Sequence, residues 1–217
     1  MLLPETHYHL DHLPPIDQRF IKEAYNAVYQ WPPQDYIPNQ PVITDSRIPG
    51  QKLNRGIAIP TDKCIQYGLP ADGERHTSTS KTVYCQNNFF KETKFGKDMQ
   101  AALGKINSRY LYTAPWSLYD WHQDLGEHTC AVNFLLTDVP GSKTLHRFPT
   151  DCKLNYKVVP MEYKLYRPVL MKSKIDHCII NLTDKHRYVL TVVLLETTYM
   201  VAKDWLINYK IDTDSYL

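Results

Sequence analysis

The stretch HCIINLTDKHRYVLTVVLLE, residues 177–196, limits the fold more than any other part of the chain. Two runs rich in β-branched and apolar residues flank the turn residues LTDK, the pattern of a β-hairpin. The hairpin places Arg187, at the start of the second strand, beside the strand that carries His177. The same character recurs from about residue 108 onward in RYLYTA, TCAVNFLL and YKLYRPVLM, with DVPGSK as a further turn signal. Short strands at regular spacing, behind one or two helices, predict an antiparallel double-sheet barrel of jelly-roll type with helices buttressing one sheet.

The first half reads differently. Apolar residues at 16, 20, 24 and 28, with Pro at the entry and WPP at the exit, predict a helix over residues 15–31. Residues 32–60 are rich in Pro and polar side chains and predict an extended excursion over the surface or across a site entrance. A second helix is expected near 95–106, through FGKDMQAALGKI. A chain of 217 residues suits one domain with a full core. Its expected parts are N-terminal helices and extended loops (1–107), a jelly-roll core (108–196) and a C-terminal extension (197–217).

Charge gives no support for a polymeric partner. The net charge of +2 comes from interspersed residues of both signs, with no basic block to suggest a nucleic acid or a membrane surface. Five cysteines, odd in number and never in a C-x-x-C pair, argue against a disulfide framework or zinc ribbon. MLLPETHYHL lacks the features of a secretory signal, and YVLTVVLL is too short for a membrane-crossing helix. A cytoplasmic protein is expected.

Two His-x-Asp triplets occur, His9/Asp11 and His122/Asp124. With 9 histidines and 23 acidic residues, about one such triplet with Asp or Glu is expected by chance, so context must separate them. At the end of a strand, His122 and Asp124 project to the same face, into the barrel. His9 and Asp11 precede a Pro pair and a helix start, in a terminal segment expected to be mobile and to play no metal role. His177 supplies a third ligand and Arg187 a cation beside it. Two histidines and a carboxylate on one face of an octahedral ion leave three positions open, as in non-haem Fe(II) oxygenases.

These residues carry a resemblance. The order His122, Asp124, His177, Arg187, with ten residues from the second histidine to the arginine, resembles the 2-oxoglutarate/Fe(II)-dependent oxygenases. YDWHQD resembles the Y-x-x-H-x-D of prolyl 4-hydroxylase-like members. LLTDVPGSKT and RPVLMKSKIDHCIINLTDKHRYVLTVVL are similar to their turn and closing strands, so the likeness spans about residues 108–196. Ser142 replaces the second glycine of the family turn, and Val189 stands two after Arg187 where some branches have Ser. The resemblance implies a double-stranded β-helix (jelly-roll, cupin-like) and Fe(II) held by His122, Asp124 and His177. It also implies 2-oxoglutarate anchored by Arg187, dioxygen as second co-substrate, and hydroxylation of a C–H bond in a peptide, amino acid or other small molecule, with release of succinate and CO2. Tyr112 falls near the position of a family tyrosine that hydrogen-bonds 2-oxoglutarate.

Other readings of the same residues stay open. A catalytically silent jelly-roll module that binds a partner or sugar needs no metal. Arg187 can instead pair with Asp184 or Asp176, Tyr112 can be packing, and Asn133 needs a buried partner, either the co-substrate or a backbone group. Trp116 and Trp121 either wall a substrate entrance or pack. His128, His146 and His186 are expected not to be ligands.

Overall fold

Residues 5–17, 19–20, 22, 83–86, 89–113, 117–124, 130–149, 156–183 and 185–210 are described by the computed structural model. Eight strands from β3 to β10 form two facing antiparallel sheets, the chain changing sheet at every step except β6 to β7. They are β3 (Ile106–Thr113), β4 (Ser117–His122), β5 (Cys130–Leu135), β6 (Ser142–Pro149), β7 (Tyr156–Met161), β8 (Pro168–Lys172), β9 (His177–Asn181) and β10 (Arg187–Leu194). Two earlier strands, β1 (His7–His9) and β2 (Val83–Gln86), extend the larger sheet. Its order is β1-β8-β5-β10-β3-β2, and the smaller sheet runs β4-β9-β6-β7. This is the expected double-stranded β-helix, but the hairpin expected over residues 177–196 does not form: β9 pairs with β4 and β6, β10 pairs with β3 and β5, and the LTDK segment carries the chain from one sheet to the other.

Side-chain alternation sorts the strands into faces. On β10, Tyr188, Leu190, Val192 and Leu194 join the main core with Cys130, Val132 and Phe134 of β5 and Leu170 of β8. Helices α1 (Phe89–Glu92), α2 (Lys94–Leu103) and α3 (Tyr199–Asn208) cover that face. Phe95, Met99 and Leu103 of α2, four residues apart, are buried there, as are Tyr199, Ala202 and Leu206 of α3. The Thr93 hydroxyl caps α2 by accepting from the Gly96 amide at 3.0 Å, and Gly104 ends it at φ 80°. The helix predicted over 95–106 therefore stops at Leu103, where a left-handed residue hands the chain to β3.

The opposite faces look inward between the sheets. A second small cluster, Trp121, Leu145, Cys178 and Ile180, lies on the outer side of the smaller sheet. Arg147 lies over it, its guanidinium carbon 4.7 Å from the Trp121 ring and 4.8 Å from the Tyr156 ring. Strand β4 pairs with β9 through a bulge: Tyr119 lies opposite Ile179 but His122 opposite His177.

Three further expectations need correction. The N-terminal HYH is a strand, paired residue for residue with Val169 to Met171 of β8, rather than a mobile end. YKLYRPVLM is only half strand: Tyr163 to Arg167 form the turn region before β8, and Tyr166 takes φ 63°. Strand β3 begins at Ile106, before RYLYTA. Of the helix predicted over 15–31, residues 15–17 are not helical and residues 19, 20 and 22 are; residues 18, 21 and 23–31, and the excursion 32–60, lie outside the described residues.

Candidate metal centre

His122 ends β4 and His177 begins β9, directly opposite each other across the bulged ladder. Their ring centroids are 4.3 Å apart. Asp124 follows two residues on, with its amide donating to the Ser173 carbonyl at 3.0 Å, while Lys174 Nζ donates to the Asp124 carbonyl at 3.0 Å. The β8–β9 turn thus fixes the backbone from which the carboxylate projects. One ligand atom from each of His122, Asp124 and His177 lies within 4.8 Å of the others, the one such group of histidine, cysteine or acidic residues among those described.

The donor set fits a divalent transition metal. His177 Nδ1 lies 2.8 Å from the Ile175 carbonyl, which fixes a tautomer with the proton on Nδ1 and leaves Nε2 to bind. His177 is buried, while His122 and Asp124 are half-exposed, so the centre has a packed wall and an open side. Two neutral imidazoles and one carboxylate suit iron, with coordination positions left for other molecules.

Arg187 lies deeper in the barrel, 1% exposed. Its Nη2 donates to Thr144 Oγ1 at 3.2 Å, and its guanidinium carbon lies 5.3 Å from the centre of the Tyr163 ring. Burial pushes its pKa down, an effect opposed by the Tyr163 hydroxyl. Among the described residues no carboxylate pairs with it. Asp176, one rival partner, is bonded instead to Arg147 Nε at 2.9 Å; the other, Asp184, lies outside the described residues. Thr144 stands opposite Ile179, two residues along β9 from His177. Two residues of strand span about 7 Å, so cation and metal group lie at successive levels of one cavity wall.

Asn133 is buried on β5, its Nδ2 donating to Tyr163 OH at 3.3 Å and contacting Met171 Sδ at 3.7 Å. Its Oδ1 has no partner among the described residues. Tyr112 lies on β3 opposite Tyr188, but its side chain is outside the described residues, as are Trp116 and His128. Trp121 is packing on the outer sheet face, which settles that alternative. His186 is exposed. Asp11 is exposed and paired with Lys164.

Sequence reasoning missed two histidine features. His146 stands opposite His177 on β6, fully buried, with ring centroids 6.0 Å apart. His7 stacks on His146 at 6.2 Å, and His9 meets His7 edge-on at 5.2 Å. Strand alternation in SKTLHRFP, with Leu145 outward, was the available signal for His146; nothing in HYH foretold its pairing partner.

The fold and site together define a double-stranded β-helix with a candidate His-Asp-His metal centre. No family profile matches the sequence, and no curated protein matches it. Among solved structures, the chain is similar to a 2OG-Fe(II) oxygenase family oxidoreductase from Burkholderia pseudomallei, at 12% identity over 51% of this chain and 55% of that one, with TM-score 0.37. It is similar to a Pseudomonas putida prolyl-4-hydroxylase at 16% identity, over 46% and 56% of the two chains, with TM-score 0.35. An oxalate oxidase in complex with the substrate analogue glycolate matches at 9% identity, over 42% and 43%, with TM-score 0.33. The chain thus matches about half the length of these proteins. Likenesses of this size decide nothing about activity, and the fold rests on the strand order itself. No described helix is long and apolar enough to cross a membrane.

Proposed function

We propose that the protein is an oxidoreductase of the Fe(II)- and 2-oxoglutarate-dependent dioxygenase type, hydroxylating a C–H bond of a peptide, amino acid or other small molecule. The observation that carries this reading is Arg187: a buried guanidinium with no carboxylate partner among the described residues, one level below three metal-ligand side chains. A buried charge without a counter-charge is costly, and an anionic ligand removes that cost. A dicarboxylate whose oxo-acid end lies at the metal and whose other end reaches about 7 Å matches both features.

His122, Asp124 and His177 would hold the metal, which supplies Lewis acidity and redox chemistry for dioxygen. Arg187 and Thr144 orient the far carboxylate, and the packed wall around His177 excludes water from it. In the overall reaction, 2-oxoglutarate, dioxygen and the substrate C–H give succinate, CO2 and the alcohol, so the atoms balance without another reductant.

The test is anaerobic addition of 2-oxoglutarate to Fe(II)-loaded protein, followed by oxygen. A visible metal-to-ligand band and then succinate are expected, with both lost in His122→Ala and His177→Ala and kept in His9→Ala. Protein that binds Fe(II) but yields neither signal would leave a metal-bearing or silent binding module in place of this reading.

A further inference from the structure

His146 is the least explained polar residue in the barrel. It is fully buried, yet neither ring nitrogen has a hydrogen-bond partner among the described residues, an arrangement that costs free energy unless something else meets it. Its place is set by two contacts. Its strand partner across β6–β9 is His177, and on its other side the His7 ring stacks nearly parallel, at an interplanar angle of 14°. His7 is itself fixed, through Nδ1 to Thr6 Oγ1 at 2.7 Å.

The geometry points to His146 as the residue that hydrogen-bonds an anionic ligand held at the open coordination positions of the metal centre. This rests on the metal reading above. The His146 ring stands beside the metal-ligand group, directly across the ladder from His177 with the ring centroids 6.0 Å apart. A molecule held at the open positions of that group on the His146 side would come within reach of an imidazole nitrogen. A neutral imidazole offers one N–H donor and one acceptor, so His146 can meet either kind of ligand atom. His146 itself stays off the metal, since it is not part of the converging group.

The probe is azide, titrated into Co(II)-loaded protein and followed in the visible spectrum, with Co(II) affinity measured separately by calorimetry. His146→Phe should bind Co(II) within threefold of the parent and bind azide about tenfold to a hundredfold more weakly, the loss of one hydrogen bond to a charged group. His146→Gln, which keeps a donor, should recover part of that loss. In a parallel titration, an equal loss for 2-oxoglutarate assigns the bond to its oxo-acid end. A loss with azide alone assigns it to a position that end leaves open.

Azide binding within threefold of the parent in His146→Phe overturns the proposal. Loss of Co(II) from the same variant also overturns it, by making His146 a ligand. A parent that fails to bind Co(II), or a His122→Ala variant that binds it equally well, removes the metal reading instead. Should both His146 variants fail to fold, the parent decides: in Zn(II)-loaded protein, azide should shift a His146 ring nitrogen resonance, and an unmoved resonance overturns the proposal.

Discussion

Arg187 and Thr144 show how one side chain tells two functions apart. An arginine in a surface ion pair is worth little, and removing it changes stability by less than about 1 kcal/mol. Arg187 is instead buried against Thr144 and Tyr163 with no acid beside it among the described residues. Truncating one partner of a buried charge pair costs about 3–5 kcal/mol, so Arg187→Leu should weaken 2-oxoglutarate binding by roughly two to three and a half orders of magnitude. Metal binding should survive. Arg187→Lys should fall between, keeping charge but losing the planar fork. Calorimetric titration into Mn(II)-loaded protein measures all three, and a Leu variant that binds within threefold of the parent would take Arg187 out of the site. The group His122, Asp124 and His177 was legible in the sequence because a histidine and an acid two apart at a strand end face the same way, and a strand-opening histidine was the one that fitted beside them. His7 and Tyr163 were not, because the contacts that give them a role cross the barrel.

The turn that carries the chain from β9 in one sheet to β10 in the other is the element on which the site depends, and Asn181 holds it. Asn181 Nδ2 donates to the Lys185 carbonyl at 2.8 Å and to the Thr113 carbonyl at 3.3 Å, while its Oδ1 accepts from Thr183 Oγ1 at 2.8 Å. The neighbouring turn packs against it. Gly141 accepts from the Leu182 amide, and a Cβ there would lie 2.6 Å from Thr183 Cγ2. Ser142, where the oxygenase turn has glycine, donates its hydroxyl to the Ile180 carbonyl at 2.9 Å, so the departure adds a tie between β6 and β9. Replacing Asn181 by Ala strands buried carbonyls, at about 1–3 kcal/mol. Urea unfolding should show that loss, with faster amide exchange across 182–186 than elsewhere; unchanged stability would mean water or relaxation replaces the bonds. Strands β5, β9 and β10 could be read from their apolar runs. The edge strands β1 and β2 could not, since an edge is held by its partner more than by its own composition.

At the scale of the molecule, one large core under the helices supports a polar interior between the sheets, and that interior makes the fold acid-sensitive. The ordinary imidazole pKa of 6.5 is pushed down to about 3 at His146, by burial and then by His177 and His7. At His7 it is lowered by burial and then by His9, against a smaller opposing effect of Glu5. Between these values the unfolded chain binds protons that the native protein refuses. Stability therefore falls as pH drops through that window and is unaffected by these groups above it. Urea midpoints of chelator-treated protein at pH 7.5 and 5 should show the decline, and His146→Phe should flatten it. An equal decline in parent and variant would place the sensitivity elsewhere. The polar interior escaped sequence reading for a physical reason: alternation predicts that a side chain points inward, but not which strands face each other there.

The bulge in β4 makes the length of that strand a matter of odd and even. Tyr119 and His122 are three residues apart, whereas their partners Ile179 and His177 are two apart. An unbroken ladder would put residues 119 and 122 on opposite faces of the sheet, and the single surplus residue restores agreement. Removing that surplus residue, such as Asp120, would leave a regular strand with His122 still opposite His177 and on the inner face. Such a protein should keep its β-sheet circular dichroism and its Fe(II) binding, while a deletion of two residues turns His122 to the outer face and abolishes Fe(II) binding. This short segment should accordingly tolerate the loss of one residue but not of two.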